Sequence, residues 1–217
     1  MCSKNSELFV SKLIKDYNFE YIDNECKHIL DQVEKLFSET FNTKDSLNLF
    51  IDKLIRLLIK TQDEGNNFNE TEYFINQCIF LSDQNSNNIL KWLEGNQVKS
   101  KYIFFLGFIY LNFEKDNDEA FKLILRASED NYPIAQVYLA KCYKEGFGTE
   151  RNDKLAFRWV KKAAENKSIC GQLDLGVYYE NNIGTDKDLS KAFYWYQKAA
   201  NNGNLIIQAD VMNWEKE

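Results

Sequence analysis

Displaced by 36 residues, the second half of the chain matches itself, and no other feature limits the fold as strongly. Compared without gaps, residues 132–167 and 168–203 share twelve identities: Gln136/Gln172, Leu139/Leu175, Tyr143/Tyr179, Gly148/Gly184, Thr149/Thr185, Ala156/Ala192, Phe157/Phe193, Trp159/Trp195, Lys162/Lys198, Ala163/Ala199, Ala164/Ala200 and Asn166/Asn202. Chance would supply roughly two, and a fixed period of roughly 20–50 residues is the mark of a solenoid built from one repeated supersecondary unit. An earlier copy lies upstream: Ala120, Phe121 and Ala127 precede Ala156, Phe157 and Ala163 by 36, whereas Leu106 and Tyr110 precede Leu139 and Tyr143 by 33. The loop inside that copy is therefore shorter, and it lacks the glycines found at Gly148 and Gly184. Downstream, Gln208 and Val211 fall 36 after Gln172 and Leu175 and open a partial fourth copy.

Inside one copy the pattern predicts two antiparallel helices. Ala135, Leu139, Ala140 and Tyr143 form an apolar stripe at helical spacing. Pro133 suits a first helical turn, where its missing N–H has no partner to lose. Gly146-Phe147-Gly148 punctuates, because glycine adopts the left-handed conformation that ends helices. A second helix carries Leu155, Ala156, Trp159, Ala163 and Ala164. Small residues at Gly107, Ala140 and Gly176 let the paired helix come close, while Tyr143 and Trp159 fill the space between copies as core residues rather than as a cofactor-stacking site.

The segments Leu175-Gly-Val-Tyr-Tyr179, Gly184-Thr185 and Lys191-Ala-Phe-Tyr-Trp-Tyr-Gln-Lys-Ala-Ala200, closing with Asn202-Gly203, resemble the Sel-one-like repeat, a branch of the tetratricopeptide-like superhelical repeats. The resemblance covers 98–203, with Leu123 standing in the first copy where Trp159 and Trp195 stand in the others. It implies an all-α fold: an α/α solenoid of helix-turn-helix repeats (98–131, 132–167, 168–203 and a partial 204–217) within an array spanning 98–217. No paired cysteines follow Ala164 or Ala200, so the disulfide-stapled secreted branch of that family is not indicated.

Residues 1–97 show no 36-residue echo. They read as amphipathic helices at 6–17, 22–37, 45–61, 69–81 and 87–93, the third being the richest, with Leu47, Phe50, Ile51, Leu54, Ile55, Leu57 and Leu58. Short helices cannot hide an apolar face alone, so this region is expected to cap the array against its first repeat. The Trp92–Gln97 lead-in resembles the junction of signalling proteins in which such an array follows a kinase domain, but no glycine-rich loop, His-Arg-Asp or Asp-Phe-Gly motif is present here.

A hydrophobic content of 44% excludes a disordered chain, and the net charge of −6 argues against a nucleic-acid binder, which needs a basic footprint. No secretory leader or membrane span is expected, since the most apolar run, Tyr102 to Leu111, is half of the roughly 20 residues a spanning helix requires. Cys2, Cys26, Cys78, Cys142 and Cys170 contain no C-x-x-C pair and read as reduced thiols of a cytoplasmic protein. His28 is the single histidine, placed as a surface residue beside Lys27. The pairs Asp116/Asp118 and Asp186/Asp188 lack the glycine and glutamate of a calcium loop. No catalytic constellation, metal site or cofactor site emerges.

The expected function is therefore a non-enzymatic scaffold or adaptor for a protein or peptide partner, in intracellular signalling. By resemblance to tetratricopeptide-like grooves, the concave face would present Phe104, Phe108, Val137, Lys141, Lys144, Leu173, Val177 and Glu180. The competing reading of Phe104 and Phe108 is that they pack beneath the N-terminal helices. A second functional reading is self-assembly as a homo-oligomer through Ile207, Val211 and Trp214, an apolar face in the partial fourth copy.

Overall fold

The computed structural model describes residues 46–64, 68–81 and 86–204. The helices expected at 6–17 and 22–37, together with Cys2, Cys26, His28, Ile207, Val211 and Trp214, lie outside the described residues. Three helices precede the repeats: α1 (Ser46–Asp63), α2 (Phe68–Leu81) and α3 (Ser86–Gly95). These match the expected positions to within two residues at each end. The repeats follow as hairpins of an A and a B helix: α4 (Ser100–Ile109) with α5 (Asn117–Glu129), α6 (Pro133–Glu145) with α7 (Asp153–Glu165), and α8 (Ile169–Glu180) with α9 (Leu189–Asn201). All regular structure among the described residues is helical.

The 36-residue period is a period of backbone solutions. Each B helix opens on a side-chain cap: Asp116 accepts from the Glu119 N–H, Asn152 from Leu155 and Asp188 from Lys191, at 3.0, 3.0 and 2.9 Å. Two of the carboxylates that look like loop decoration in the sequence are thus helix N-caps. Each B helix is followed by a residue in left-handed conformation, Asn131, Lys167 and Gly203 in turn. The shorter loop of the first repeat is closed differently, by a π-helical turn over Tyr110–Glu114 that ends on a left-handed Lys115.

Gly148 and Gly184 do more than end a helix. Both have positive φ, and a Cβ at either would sit against backbone, 2.0 Å from the Asn117 carbonyl oxygen and 1.9 Å from that of Asp153 respectively. The glycine of each loop is therefore pressed against the first residue of the preceding repeat's B helix. Beside it, Phe121 meets Tyr143 edge to face at 5.5 Å, and one repeat later Phe157 meets Tyr179 at 5.4 Å. Buried glutamines complete the interface. Gln136 donates to the Ser128 carbonyl and accepts from Asn166, while Gln172 repeats both bonds with Ala164 and Asn202. Trp159 and Trp195 are half-buried in matching settings, with Lys162 and Lys198 lying 5.0 and 4.6 Å from their ring centres.

The small residues on the A helices are matched to what faces them. Gly107 opposes Ile124 and Leu123, and Gly176 opposes the ring of Tyr196. Repeat 2 has Ala140 at this place and the smaller Val160 where Tyr196 stands, both within one buried cluster. A larger B-helix side chain thus accompanies a smaller A-helix one, as constant packing density requires.

The N-terminal helices reach further than the first repeat. One apolar cluster runs from Ile51, Leu54 and Leu58 of α1, through Phe104, Phe105 and Phe108 of α4 and Val137, Tyr138 and Leu139 of α6, to Cys170 of α8. α3 closes the entry to the array, with Trp92 edge-on to Tyr102 at 5.0 Å and Glu94 accepting from the Tyr110 hydroxyl.

Candidate binding face

The A helices α4, α6 and α8 lie side by side, so residues one repeat apart form rows across them. One row is Phe104, Val137 and Leu173; the next is Phe105, Tyr138 and Asp174; the third is Phe108, Lys141 and Val177. Lys144 and Glu180 continue the face toward the helix ends.

α1 spans this face. Eighteen residues of helix extend about 27 Å, enough to cross three neighbouring helices spaced about 9 Å apart. At one end Asn48 accepts from the Tyr102 hydroxyl at 2.9 Å and Asp52 pairs with Lys101 at 2.6 Å, both on α4. At the other end Asp63 accepts from the Cys170 N–H at 3.2 Å, at the start of α8, and its carbonyl accepts from Asn204 at 3.1 Å. Burial pushes the Asp63 carboxyl up, opposed by the hydrogen bonds from Cys170. α2 adds Glu72, paired with Lys141 at 2.7 Å with both side chains under 20% exposed.

This arrangement divides the sequence-derived face in two. Phe104, Phe108 and Val137 are 0% exposed and belong to the core beneath α1 and α2. They cannot be partner contacts, which corrects the groove assignment for these three residues. Lys141 is held by Glu72 of the chain itself. Leu173, Val177, Lys144 and Glu180 remain half-exposed, on repeat 3 and the adjoining end of α6. Lys144 reaches Glu145 at 3.4 Å, and Glu180 accepts from the Tyr196 hydroxyl at 2.5 Å. The covering is fixed: Phe50, Ile51, Leu54, Ile55, Leu57 and Leu58 are each under 5% exposed, and burial of such side chains stabilises by about 1.5–3 kcal/mol apiece.

Asp174 is the residue of this face that sequence reasoning misses. It stands half-buried between Leu173 and Leu175 on α8, and burial pushes its carboxyl up to about 6. A signal for it exists in the sequence, since the equivalent position is aromatic in the other two repeats. Among the described residues no group of three or more His, Cys, Asp or Glu side chains is placed to hold a metal ion, and no helix is long and apolar enough to cross a membrane. Cys78 and Cys142 are buried with thiols pushed up to about 12, so they pack as inert apolar groups.

Stacked helical hairpins with an A-helix row on one side define an α/α repeat solenoid. The family model described as Sel1 repeat matches residues 100–132, 133–168 and 171–204. With those three matches on this fold, the chain belongs to the Sel1 repeat family. A solved structure of a Sel1 repeat protein from Oxalobacter formigenes is similar, with 35% identity and a TM-score of 0.52 over 58% of this chain and 98% of that one. A second structure, c5321, a protective antigen present in uropathogenic Escherichia coli strains displaying an SLR fold, is similar at 19% identity. Its TM-score is 0.57 over 88% of this chain and 45% of that one, a likeness of fold alone. The comparison with curated proteins gave no match. Sel1 repeats are generally non-catalytic and serve as protein-interaction scaffolds.

Proposed function

We infer that this protein is a non-enzymatic scaffold that engages a protein partner through the open end of its concave face, made by Leu173, Val177 and Glu180 of α8 with Lys144 of α6. The observation that carries the reading is the gradient of burial along one row: Phe104 and Val137 are 0% exposed, whereas Leu173, their counterpart in repeat 3, is half-exposed. A surface kept apolar at its centre and polar at its margin, on a fold that generally binds proteins, suits a peptide or a helix laid across it. A role as an adaptor in cytoplasmic signalling agrees with this reading.

The test compares wild type with Val177→Asp by proximity labelling and pull-down from native cells. Partners are lost in the variant while its helical circular dichroism persists; an unchanged partner set rejects the face. Self-assembly is a second reading, favoured by Leu189 at 59% and Tyr194 at 55% exposed on α9. Sedimentation as a monomer at every concentration defeats it.

A further inference from the structure

With the A helices aligned repeat on repeat, Phe105 and Tyr138 occupy the place that Asp174 holds in repeat 3. Both aromatics are 0% exposed, and both belong to the apolar cluster beneath the N-terminal helices. Asp174 lies one turn beyond Cys170, where Asp63 ends the path of α1. The carboxylate therefore stands where the covering stops, between two half-exposed apolar side chains, Leu173 and Val177. Neither a hydrogen bond nor an ion pair reaches it among the described residues; the fields of Lys144 and Lys141 act on it only from a distance.

Neither lysine reaches it at ion-pair distance: Lys141 pairs with Glu72, and Lys144 lies against its chain neighbour Glu145 in an exposed pair. Its own charge is felt by Cys170 and Tyr178, one turn before and one turn after it on α8, and by Tyr196 of α9, while the charged groups that act on it are Lys144 and Lys141 of α6. A half-buried carboxylate with no partner is costly for a folded chain to keep, and an apolar residue at this position, as in the other two repeats, would avoid that cost. A cation brought by a binding partner removes the cost at the moment of binding.

We propose that Asp174 is the anchor for a basic residue of the partner: an arginine or lysine side chain pairs with its carboxylate while apolar residues on either side of that cation rest on Leu173 and Val177. Arginine fits best, since its planar fork can satisfy both carboxylate oxygens together. This rests on the scaffold reading above and specifies its partner class, a peptide segment with a cation set between two apolar residues.

The test is a phage-displayed random 16-residue peptide library selected in parallel against the full-length wild type, Asp174→Asn and Val177→Asp, with melting curves confirming that all three fold. Expected is enrichment of Arg or Lys flanked by apolar residues on wild type, with the selected peptides binding Asp174→Asn at least about tenfold more weakly, as loss of a charge-assisted pair implies. Asp174→Lys should instead select acidic peptides. Peptides that depend on Val177 yet show no basic enrichment, or that bind Asp174→Asn unchanged, overturn the anchor and leave the scaffold reading standing. Failure to enrich any peptide on wild type over Val177→Asp overturns both.

Discussion

Replacing Gly184 by alanine tests whether the loop glycine is what seats one repeat on the next. The perturbation has two parts. Alanine at φ +64 carries the ordinary penalty of a left-handed L-residue, about 1–2 kcal/mol. Its methyl group would also sit 1.9 Å from the Asp153 carbonyl oxygen and 2.9 Å from the Lys154 nitrogen, both backbone atoms at the start of α7. Backbone cannot swing aside as a side-chain end can, so the loop has to retreat, and overpacking of that kind costs about 1–3 kcal/mol more. Gly146→Ala separates the two parts, because Gly146 is also left-handed, at φ +80 and ψ +30, but a methyl group there would come no nearer than 3.4 Å to a neighbour among the described residues. The expected losses are thus about 2–5 kcal/mol for Gly184→Ala against about 1–2 for Gly146→Ala. At about 2–4 °C per kcal/mol for a chain of this size, the melting points should separate by several degrees. Thermal and urea unfolding followed by far-ultraviolet circular dichroism measure both. Equal destabilisation by the two substitutions refutes the seating argument and leaves only backbone strain.

Two further outcomes follow from the packing and the electrostatics. Gly176→Ala should destabilise by about 1–2 kcal/mol, since a methyl 2.4 Å from the Tyr196 ring outweighs the roughly 1 kcal/mol gain in helix propensity; combining it with Tyr196→Val, the pairing of Ala140 and Val160 in repeat 2, should cost less than the sum of the single changes. Asp174→Asn should be more stable than wild type at pH 7.5, by about 1 kcal/mol after discounting for solvent contact, in a urea titration. The sign follows from a folded-state carboxyl raised to about 6: wild type gains stability as pH falls through 6 toward the unfolded-state value near 4, so the advantage of asparagine closes over that window.

The repeats are legible in the sequence because their contacts recur. Gln136 and Gln172 are identical since both bridge the ends of two B helices, and Gly148 and Gly184 since both face a backbone oxygen that no Cβ could approach. The helical stripe of α1 is equally visible, and its richness in Leu and Ile announces burial. What it buries against is not visible, because the pairing of Asp52 with Lys101 and of Asp63 with Cys170 joins residues 49 and 107 positions apart with no period to reveal it. Hence Phe104, Phe108 and Val137, which family geometry places on a ligand-binding row, face the chain's own helices instead. Asp174 is hidden for the opposite reason: a carboxylate on a helix looks ordinary until the positions above it, Phe105 and Tyr138, are seen to be core.

In an ordinary array each unit touches only its neighbours, so curvature can breathe and the ends can fray independently. α1 changes that, since its two ends are fastened to the first and third A helices at once, through Lys101 and Cys170. It acts as a chord drawn across an arc. The spring cannot lengthen without breaking contacts at both attachments, which ties the melting of the third hairpin to that of the first and presents visitors with a surface of set shape.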